Sequence, residues 1–149
     1  MQEFISHNLA DTEKIAQALL SSLAARLDSA KRGKSILALS GNLGAGKTTF
    51  VKFLAKALGL EENITSPTFV LLKAYDIDFA DFKKFIHVDC YRLDAKEDLA
   101  DIGLQDYVAD ASNLVLIEWA DKINNLPQQK VLNIKIEILG ETSRRFIIS

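Results

Sequence analysis

The chain has 149 residues, 48% of them hydrophobic, with only two prolines and seven glycines, which indicates one globular domain spanning residues 1–149. Its formal charge of −2, with no block of Lys or Arg, disfavours a primary role in holding nucleic acid or an anionic membrane by electrostatic attraction. A single cysteine, Cys90, excludes an internal disulfide framework, and neither a signal peptide nor an apolar run of membrane-spanning length is evident. We therefore expect a soluble protein of the cytoplasm that does not enter a membrane.

The first predicted element is a helix. Apolar residues recur at every fourth position within residues 11–32, with polar residues between them, which is typical of an amphipathic helix. Asp11 or Thr12 is expected to cap its start, and Gly33 to end it.

A strand, a second helix and a hairpin are predicted next. The apolar run at residues 35–40 stops at a glycine, as a buried strand does, and residues 47–58 predict a helix that ends at Gly59. Residues 68–74 and 85–89 predict two strands joined by a polar, acidic turn, and their closeness in the chain favours a hairpin.

The second half of the chain predicts further alternation of helix and strand. Residues 94–108 are expected to be helical in two pieces that break at Gly103, and residues 114–118 form a fully apolar strand. Residues 131–139 and 144–148 predict two final strands joined by a turn. This order of elements predicts a single three-layer α/β domain with a mixed β-sheet.

A phosphate-binding loop is predicted between the strand at residues 35–40 and the helix that follows. The pattern G-x-x-x-x-G-K-[ST] begins at Gly41 and ends at Lys47 and Thr48. Backbone N–H groups and the positive end of the helix then hold phosphate oxygens, while Lys47 reaches the β- and γ-phosphates and the Thr48 hydroxyl coordinates Mg²⁺. The alternative is a glycine-rich turn that only lets a helix pack closely on a strand. The predicted binding residues, with Thr49 at the α-phosphate, are Leu43, Gly44, Ala45, Gly46, Lys47, Thr48 and Thr49.

Two acidic residues follow apolar strands and are candidates for the metal and the catalytic chemistry. Asp89 ends FIHVD and Glu118 ends LVLIE. Ligands of open α/β sheets gather at the carboxyl ends of the strands, so both acids can converge on Mg²⁺ beside the phosphate loop. Each acid can also stand there only because the chain is entering solvent. Glu118 is the stronger candidate because its strand is apolar throughout, whereas the direction of the Asp89 strand stays open.

Several other residues carry two interpretations each. Trp119 either lines the nucleotide pocket or packs in the core. Residues 64–69, ITSPTF, form either a loop that senses the γ-phosphate or its metal, or an ordinary turn into a strand. His7 and His87 have no partner at metal-ligand spacing and Cys90 has no adjacent base, so we interpret these three as packing or surface residues.

The segments GNLGAGKTTF, ITSPTF, HVDCYRL and IEW, in this order and in so short a chain, resemble the TsaE family of P-loop ATPases, also called YjeE. The resemblance runs from the first helix through Trp119. Very many proteins share the phosphate loop, but the other three segments together are far more specific. One departure is Asn42, where the family commonly has Asp, and this side chain is not an essential group of the motif.

The resemblance implies a P-loop NTPase fold and a bacterial ATPase needed to make threonylcarbamoyladenosine (t6A) in tRNA. Such a protein docks on the subunits TsaB and TsaD, and its ATP hydrolysis resets that complex between rounds of modification, so tRNA is met only indirectly. By the matching motifs, Lys47 and Thr48 hold phosphate and Mg²⁺, Glu118 acts at the metal or water, and Asp89 supports them. Beyond the motifs, Arg144 and Arg145 either approach the nucleotide base or lie on a solvated strand.

Three other functions use the same loop. A small-molecule kinase would add an acceptor pocket and commonly an arginine-rich lid, and no lid segment is evident in residues 94–113. A GTPase usually carries an N-K-x-D segment, which is absent here, so ATP is the expected nucleotide. A nucleotide-dependent binding module with incidental hydrolysis is the non-enzymatic alternative.

Overall fold

The computed structural model describes residues 1–27, 33–60 and 72–149. Within these ranges the strands and helices are β1 (Gln2–Ser6), α1 (Leu9–Leu27), β2 (Ile36–Ser40), α2 (Lys47–Ala57), β3 (Leu72–Phe79), β4 (Phe82–Asp89), β5 (Glu97–Asp98), α3 (Gln105–Ala109), β6 (Asn113–Glu118), β7 (Ile123–Asn124), β8 (Val131–Ile138) and β9 (Arg144–Ile148). Short 3-10 turns at Ala120–Lys122 and Gln128–Lys130 follow β6 and β7.

The main sheet has seven strands in the order β1-β9-β8-β2-β6-β4-β3. Its four central strands, β8, β2, β6 and β4, run parallel, whereas β9 and β1 at one edge and β3 at the other are antiparallel to their neighbours. The apolar runs of β2 and β6 lie in the middle because both faces of a parallel strand are covered. The predicted mixed sheet is confirmed.

Side chains that alternate along each strand divide the core into two layers on opposite faces of the sheet. One face packs against α1 and α2, and the strand residues that face them include Leu37, Leu39, Leu114, Leu116 and Ile134. The other face packs against α3 and the turns around it, through Ile36, Ala38, Val88, Val115 and Ile117. The sheet between these two coverings gives the predicted three-layer α/β architecture.

Helix α1 begins at Leu9, earlier than the sequence pattern predicts. Asn8 Oδ1 accepts the backbone N–H of Asp11 at 2.9 Å, and Asp11 Oδ2 accepts the backbone N–H of His7 at 3.0 Å. This reciprocal pair makes Asn8 the capping residue, so the expectation of Asp11 or Thr12 as cap is wrong. Residues 28–32 of the predicted helix lie outside the described residues.

The first half of the helix predicted at residues 94–108 is not helical. The Asp98 carboxylate accepts the backbone N–H of Ala100 at 3.1 Å, and the Asp98 carbonyl accepts that of Asp101 at 3.0 Å. These local bonds give the chain an alternative to helical pairing. Gly103, with φ 75°, then leads into α3, the part of the prediction that is confirmed.

The predicted hairpin is confirmed as β3 and β4, which both extend further toward the turn than expected. Residues 68–71 of the first predicted strand lie outside the described residues. Two acidic residues expected in the turn, Asp76 and Asp78, lie on β3 and pair with Lys84 and Lys83 at 2.8 and 3.2 Å, whereas Asp81 lies in the turn as expected. The reversal itself falls at Ala80, whose φ is 50°. Strand β1 was not predicted, because four of its five residues are exposed at the sheet edge and the pattern is weak.

Candidate functional site

The phosphate loop lies between the end of β2 and the start of α2, at the carboxyl edge of the parallel strands. At Gly41, φ is 150°, and an added Cβ would lie 2.6 Å from the carbonyl oxygen of Ile136 on β8, so only glycine fits this approach. Gly46, with φ 97°, turns the chain directly into α2. The strand, loop and helix therefore stand in the order that the motif requires.

The Lys47 side chain spans this loop. Its Nζ donates to the carbonyl oxygens of Gly41 at 2.7 Å and Asn42 at 2.9 Å, and it lies 4.0 Å from the centre of the Trp119 ring. Burial lowers the pKa of Lys47, while the negative charges of Glu118 and Asp89 act in the opposite direction. The Lys47 ammonium is largely shielded from water and bonds two carbonyl oxygens. It is therefore suited to give up these two hydrogen bonds for hydrogen bonds to phosphate oxygens.

Glu118 at the end of β6 connects the loop to the centre of the sheet. Only 1% of its surface is exposed. Its Oε1 accepts the hydroxyl of Thr48 at 3.2 Å, and its Oε2 lies 2.6 Å from Nε2 of His87. Glu118 is therefore a buried carboxylate in contact with the first turn of α2, and not an acid that merely enters solvent.

Asp89 lies beside Glu118, because β4 runs parallel to β6 and the two residues are partners in the register. Its Oδ1 accepts the backbone N–H of Tyr91 at 2.9 Å. Partial burial raises the pKa of Asp89, and the nearby charge of Glu118 raises it further, whereas the Tyr91 N–H and Lys47 act to lower it. The direction of this strand, which sequence left open, brings both acids to the phosphate loop.

Sequence reasoning missed the contact that His87 makes. The residue is fully buried, and its ring meets the carboxylate of Glu118. One signal was available: His87 precedes Asp89 by two residues, so both side chains point to the same face of β4. The register then places that face next to Glu118.

Trp119 packs in the core, as one of its two interpretations predicts, and its place in a nucleotide pocket stays a prediction. Its ring lies against the Lys47 ammonium and is 5.3 Å from the ring of Tyr91, and it also packs against the core on the α3 side of the sheet. Its backbone is left-handed, with φ 58°, which is uncommon for a bulky residue and is found most often at functional sites.

A cavity of about 590 Å³ opens beside the loop and the first turn of α2. It is lined by the turn before α1, by the loop and α2, and by the turn between β8 and β9, through residues that include His7, Asn8, Gly46, Thr49, Thr142 and Arg144. Apart from Gly46, Thr49 and Arg144, sequence reasoning did not propose these residues, because they come from turns without a motif.

Arg144 attaches the start of β9 to the phosphate loop. Its Nε donates to the carbonyl oxygen of Ala45 at 3.0 Å, and its guanidinium also donates to carbonyls of the β8–β9 turn, including Gly140 at 2.9 Å. Arg144 is thus partly exposed on its strand but anchored to the loop, and its approach to a nucleotide base stays a prediction. Arg145 instead pairs with Glu137 at 3.3 Å on the neighbouring strand.

The donors around Lys47 fit a magnesium ion. Mg²⁺ is usually bound by one or two carboxylates together with phosphates and waters, and it prefers hard oxygen ligands. The hydroxyl of Thr48 and the carboxylates of Glu118 and Asp89 supply such oxygens. Across residues 1–27, 33–60 and 72–149, no group of three or more His, Cys, Asp or Glu side chains forms a metal cage of its own.

Two expectations concern the rest of the chain. Residues 64–69, interpreted as either a loop that senses the γ-phosphate or an ordinary turn, lie outside the described residues. No helix in the described part of the chain is long and apolar enough to cross a membrane.

A glycine loop between a parallel strand and a helix, with its lysine and threonine beside two strand-end acids, defines a P-loop NTPase. The family model "Threonylcarbamoyl adenosine biosynthesis protein TsaE" matches residues 6–146, and the chain belongs to this family. The TsaE resemblance is confirmed, and family membership does not favour the kinase alternative.

Individual proteins that are similar in sequence or structure carry names consistent with this family. The tRNA threonylcarbamoyladenosine biosynthesis protein TsaE of Treponema pallidum is 37% identical over 115 residues, which cover 77% of this chain and 82% of the relative. Its Aquifex aeolicus counterpart is 33% identical over 147 residues, or 97% and 93% of the two chains. The crystal structure of Bacillus subtilis YdiB superposes with a TM-score of 0.64 at 30% identity, covering 97% of this chain and 82% of that one.

Proposed function

We propose that this protein is the ATP-binding and ATP-hydrolysing subunit of the bacterial machinery that makes t6A in tRNA. It works in the cytoplasm as one domain, residues 1–149, with TsaB and TsaD as partners, and meets tRNA only through them. Its hydrolysis supports turnover of the threonylcarbamoyl transfer and does not perform it. The observation that carries this proposal is the partly buried hydrogen bond from Thr48 of the phosphate loop to Glu118, in a chain of the TsaE family.

The loop holds the triphosphate. Backbone N–H groups from Leu43 to Thr49 surround the oxyanions, and the positive end of α2 adds to their attraction. Lys47 exchanges its two loop carbonyls for β- and γ-phosphate oxygens, and Trp119 lines this end of the site through its contact with the Lys47 ammonium. The residues proposed to bind nucleotide are Leu43, Gly44, Ala45, Gly46, Lys47, Thr48, Thr49 and Trp119.

Thr48, Glu118 and Asp89 hold Mg²⁺ in this proposal. When bound, the ion would supply neutralising positive charge at the phosphate oxygens. Glu118 orients the attacking water or the metal shell, Asp89 supports it, and Lys47 stabilises charge that develops on the phosphate. The products are ADP and inorganic phosphate.

The cavity beside Thr49 accommodates the nucleoside. It begins where the loop would leave the α-phosphate, and about 590 Å³ is enough for an adenosine. Residues 94–113 contain no arginine and form the short strand β5, turns, α3 and the first residue of β6, so they do not provide the arginine-rich lid of a small-molecule kinase.

Replacement of Lys47 tests the nucleotide site. Lys47→Ala removes a charge-assisted hydrogen bond worth about 1.5–3 kcal/mol, so ATP affinity measured by calorimetry should fall about tenfold or more. Lys52→Ala is the matched control, because Lys52 lies exposed on the same helix. Equal affinity in the Lys47→Ala and parental proteins would contradict the assignment.

ATP hydrolysis measured with and without TsaB and TsaD tests the role as a subunit. We expect slow turnover by the protein alone and faster turnover in the complex. A rate that does not respond to the partners would argue against this role.

A further inference from the structure

His87 is a titratable side chain in the centre of the protein that the proposed chemistry does not use. It lies on β4 with none of its surface exposed, and its ring stacks near Phe85, with ring centres 6.5 Å apart. An apolar side chain would fill such a position without burying ring nitrogens, which are costly to remove from water. The polar contact that His87 makes therefore needs a reason.

That contact is with Glu118. Nε2 of His87 lies 2.6 Å from Oε2, which is within hydrogen-bond distance, while the other oxygen, Oε1, accepts the hydroxyl of Thr48. The second ring nitrogen, Nδ1, has no hydrogen-bond partner among residues 1–27, 33–60 and 72–149. Within this part of the chain, the ring's hydrogen bonding is thus directed at one carboxylate oxygen.

The consequence for Glu118 is geometric. A glutamate has three rotatable side-chain bonds, and in a site open to phosphate and metal it would sample several orientations. With Oε2 held by the ring from β4, the carboxylate plane is restrained and Oε1 stays beside the first turn of α2. Side chains that hold a catalytic or metal-binding group in this way commonly change activity about 10- to 100-fold when replaced.

We propose that His87 is a positioning residue for ATP hydrolysis, which holds Oε2 of Glu118 so that Oε1 stays aligned with Thr48 and the phosphate loop. This inference rests on the proposed function, because it gives His87 a role only if Glu118 acts in hydrolysis. His87 acts through Glu118 and touches no reacting atom.

The test compares His87→Leu, which removes the ring N–H, with His87→Gln, whose amide nitrogen reaches about as far as Nε2. In the complex with TsaB and TsaD, His87→Leu should lower kcat about 10- to 100-fold while KM and ATP affinity by calorimetry stay at parental values. His87→Gln should recover most of the lost rate. Tyr75→Phe is the matched control, because it removes another buried polar group from the same core without touching Glu118, and it should keep the parental rate.

A double-mutant cycle shows whether the effect passes through the carboxylate. In a Glu118→Gln background, His87→Leu should have no further effect on kcat, since the group that it positions is already altered. Independent losses that multiply in the double variant would overturn the proposal. A parental rate for His87→Leu would also overturn the proposal. The same holds if His87→Leu and His87→Gln lose equal amounts of rate, ATP affinity and stability.

Proton NMR detects the His87 contact independently of ATPase activity. The chain has two histidines, and His7 is exposed, so a ring N–H signal protected from exchange with water should belong to His87 and disappear in His87→Gln. That signal should shift in Glu118→Gln. An unchanged signal would contradict the contact.

Two further comparisons distinguish failure of the positioning role from failure of the proposed function. If His87→Leu does not fold, His87→Asn takes its place, because its shorter amide cannot reach Oε2 and should lose rate where His87→Gln does not. If the parental protein hydrolyses no ATP with its partners, or Lys47→Ala binds ATP normally, the proposed function fails. If those results hold and His87→Leu is fully active, only the positioning role fails.

Discussion

Cys90 shows how the packing around the site changes the chemistry of a single residue. The thiol follows Asp89 directly and is fully buried, and its backbone N–H donates to the Glu118 carbonyl at 3.1 Å. Burial raises the pKa of Cys90 to about 12, and the negative charge of Asp89 contributes in the same direction. The reactive thiolate is therefore disfavoured in the folded protein, in agreement with the packing role that sequence suggested.

We expect Cys90 to be inert toward an aromatic disulfide reagent at pH 8. With a pKa about four units above this pH, about one thiol in ten thousand is ionised, and burial blocks access as well. The measurement is the labelling rate in buffer and in denaturant, where the unfolded chain should react at the rate of an ordinary thiol. Rapid labelling of the native protein would show that the segment after β4 opens readily.

At the scale of elements, strand β9 is hydrogen-bonded to the phosphate loop through a side chain. Arg144 at its first position bonds the Ala45 carbonyl in the loop and several carbonyls of the β8–β9 turn, so one side chain joins three parts of the chain. The close approach of Gly41 to Ile136 on β8 holds the other end of the loop. Together these contacts hold the loop through the Ala45 carbonyl and the Gly41 backbone, and neither contact uses a backbone N–H group of the loop.

We expect Arg144→Met to loosen the loop. The variant keeps much of the apolar stem but removes several hydrogen bonds from a charged donor, so the free energy of unfolding should fall by about 1–3 kcal/mol and ATP affinity should fall with it. Denaturant unfolding and calorimetry measure the two effects. Arg145→Met is the control, because its partly exposed pair with Glu137 should contribute under about 1 kcal/mol. Equal effects of the two substitutions would show that the contact with Ala45 is dispensable.

At the scale of the whole molecule, the residues of the candidate nucleotide site connect a helix and two strands through hydrogen bonds. Lys47 and Thr48 on α2 contact the loop and β6, and His87 extends this chain of contacts to β4. In the proposed complex, phosphate and metal would use the same oxygens and donors, so their binding would rearrange these contacts. A partner that senses the rearrangement can respond to the nucleotide state, with or without the switch predicted at residues 64–69.

We therefore expect the ADP form and the form with a non-hydrolysable ATP analogue to bind TsaB and TsaD with different affinities. A coupling of about 1–3 kcal/mol is typical and corresponds to a difference of about five- to 150-fold. Titration of the partner complex with each form measures it. Equal affinities would mean that nucleotide state is not transmitted by binding, and the subunit role would then depend on hydrolysis alone.

The phosphate loop and the order of the central elements could be predicted from sequence because their signals are local. The loop motif spans eight consecutive residues, and the glycines within it determine its backbone shape. The apolar residues of β2 and β6 indicate by themselves that these two strands are buried. The start of α1 and the segment before α3 were predicted wrongly. Asn8 caps α1 and starts it before the periodic pattern begins, whereas the bonds of Asp98 to nearby backbone groups outweigh helical periodicity before α3.

What only the tertiary structure decided is which distant residues meet. His87 and Glu118 are 31 positions apart, and Arg144 lies 99 positions after the Ala45 carbonyl that it bonds. The parallel pairing of β4 with β6 sets the first contact, and the placement of β9 beside β8 sets the second. A strand's own pattern shows which face is buried but not which strand lies beside it or in what register, because these depend on packing of the whole sheet.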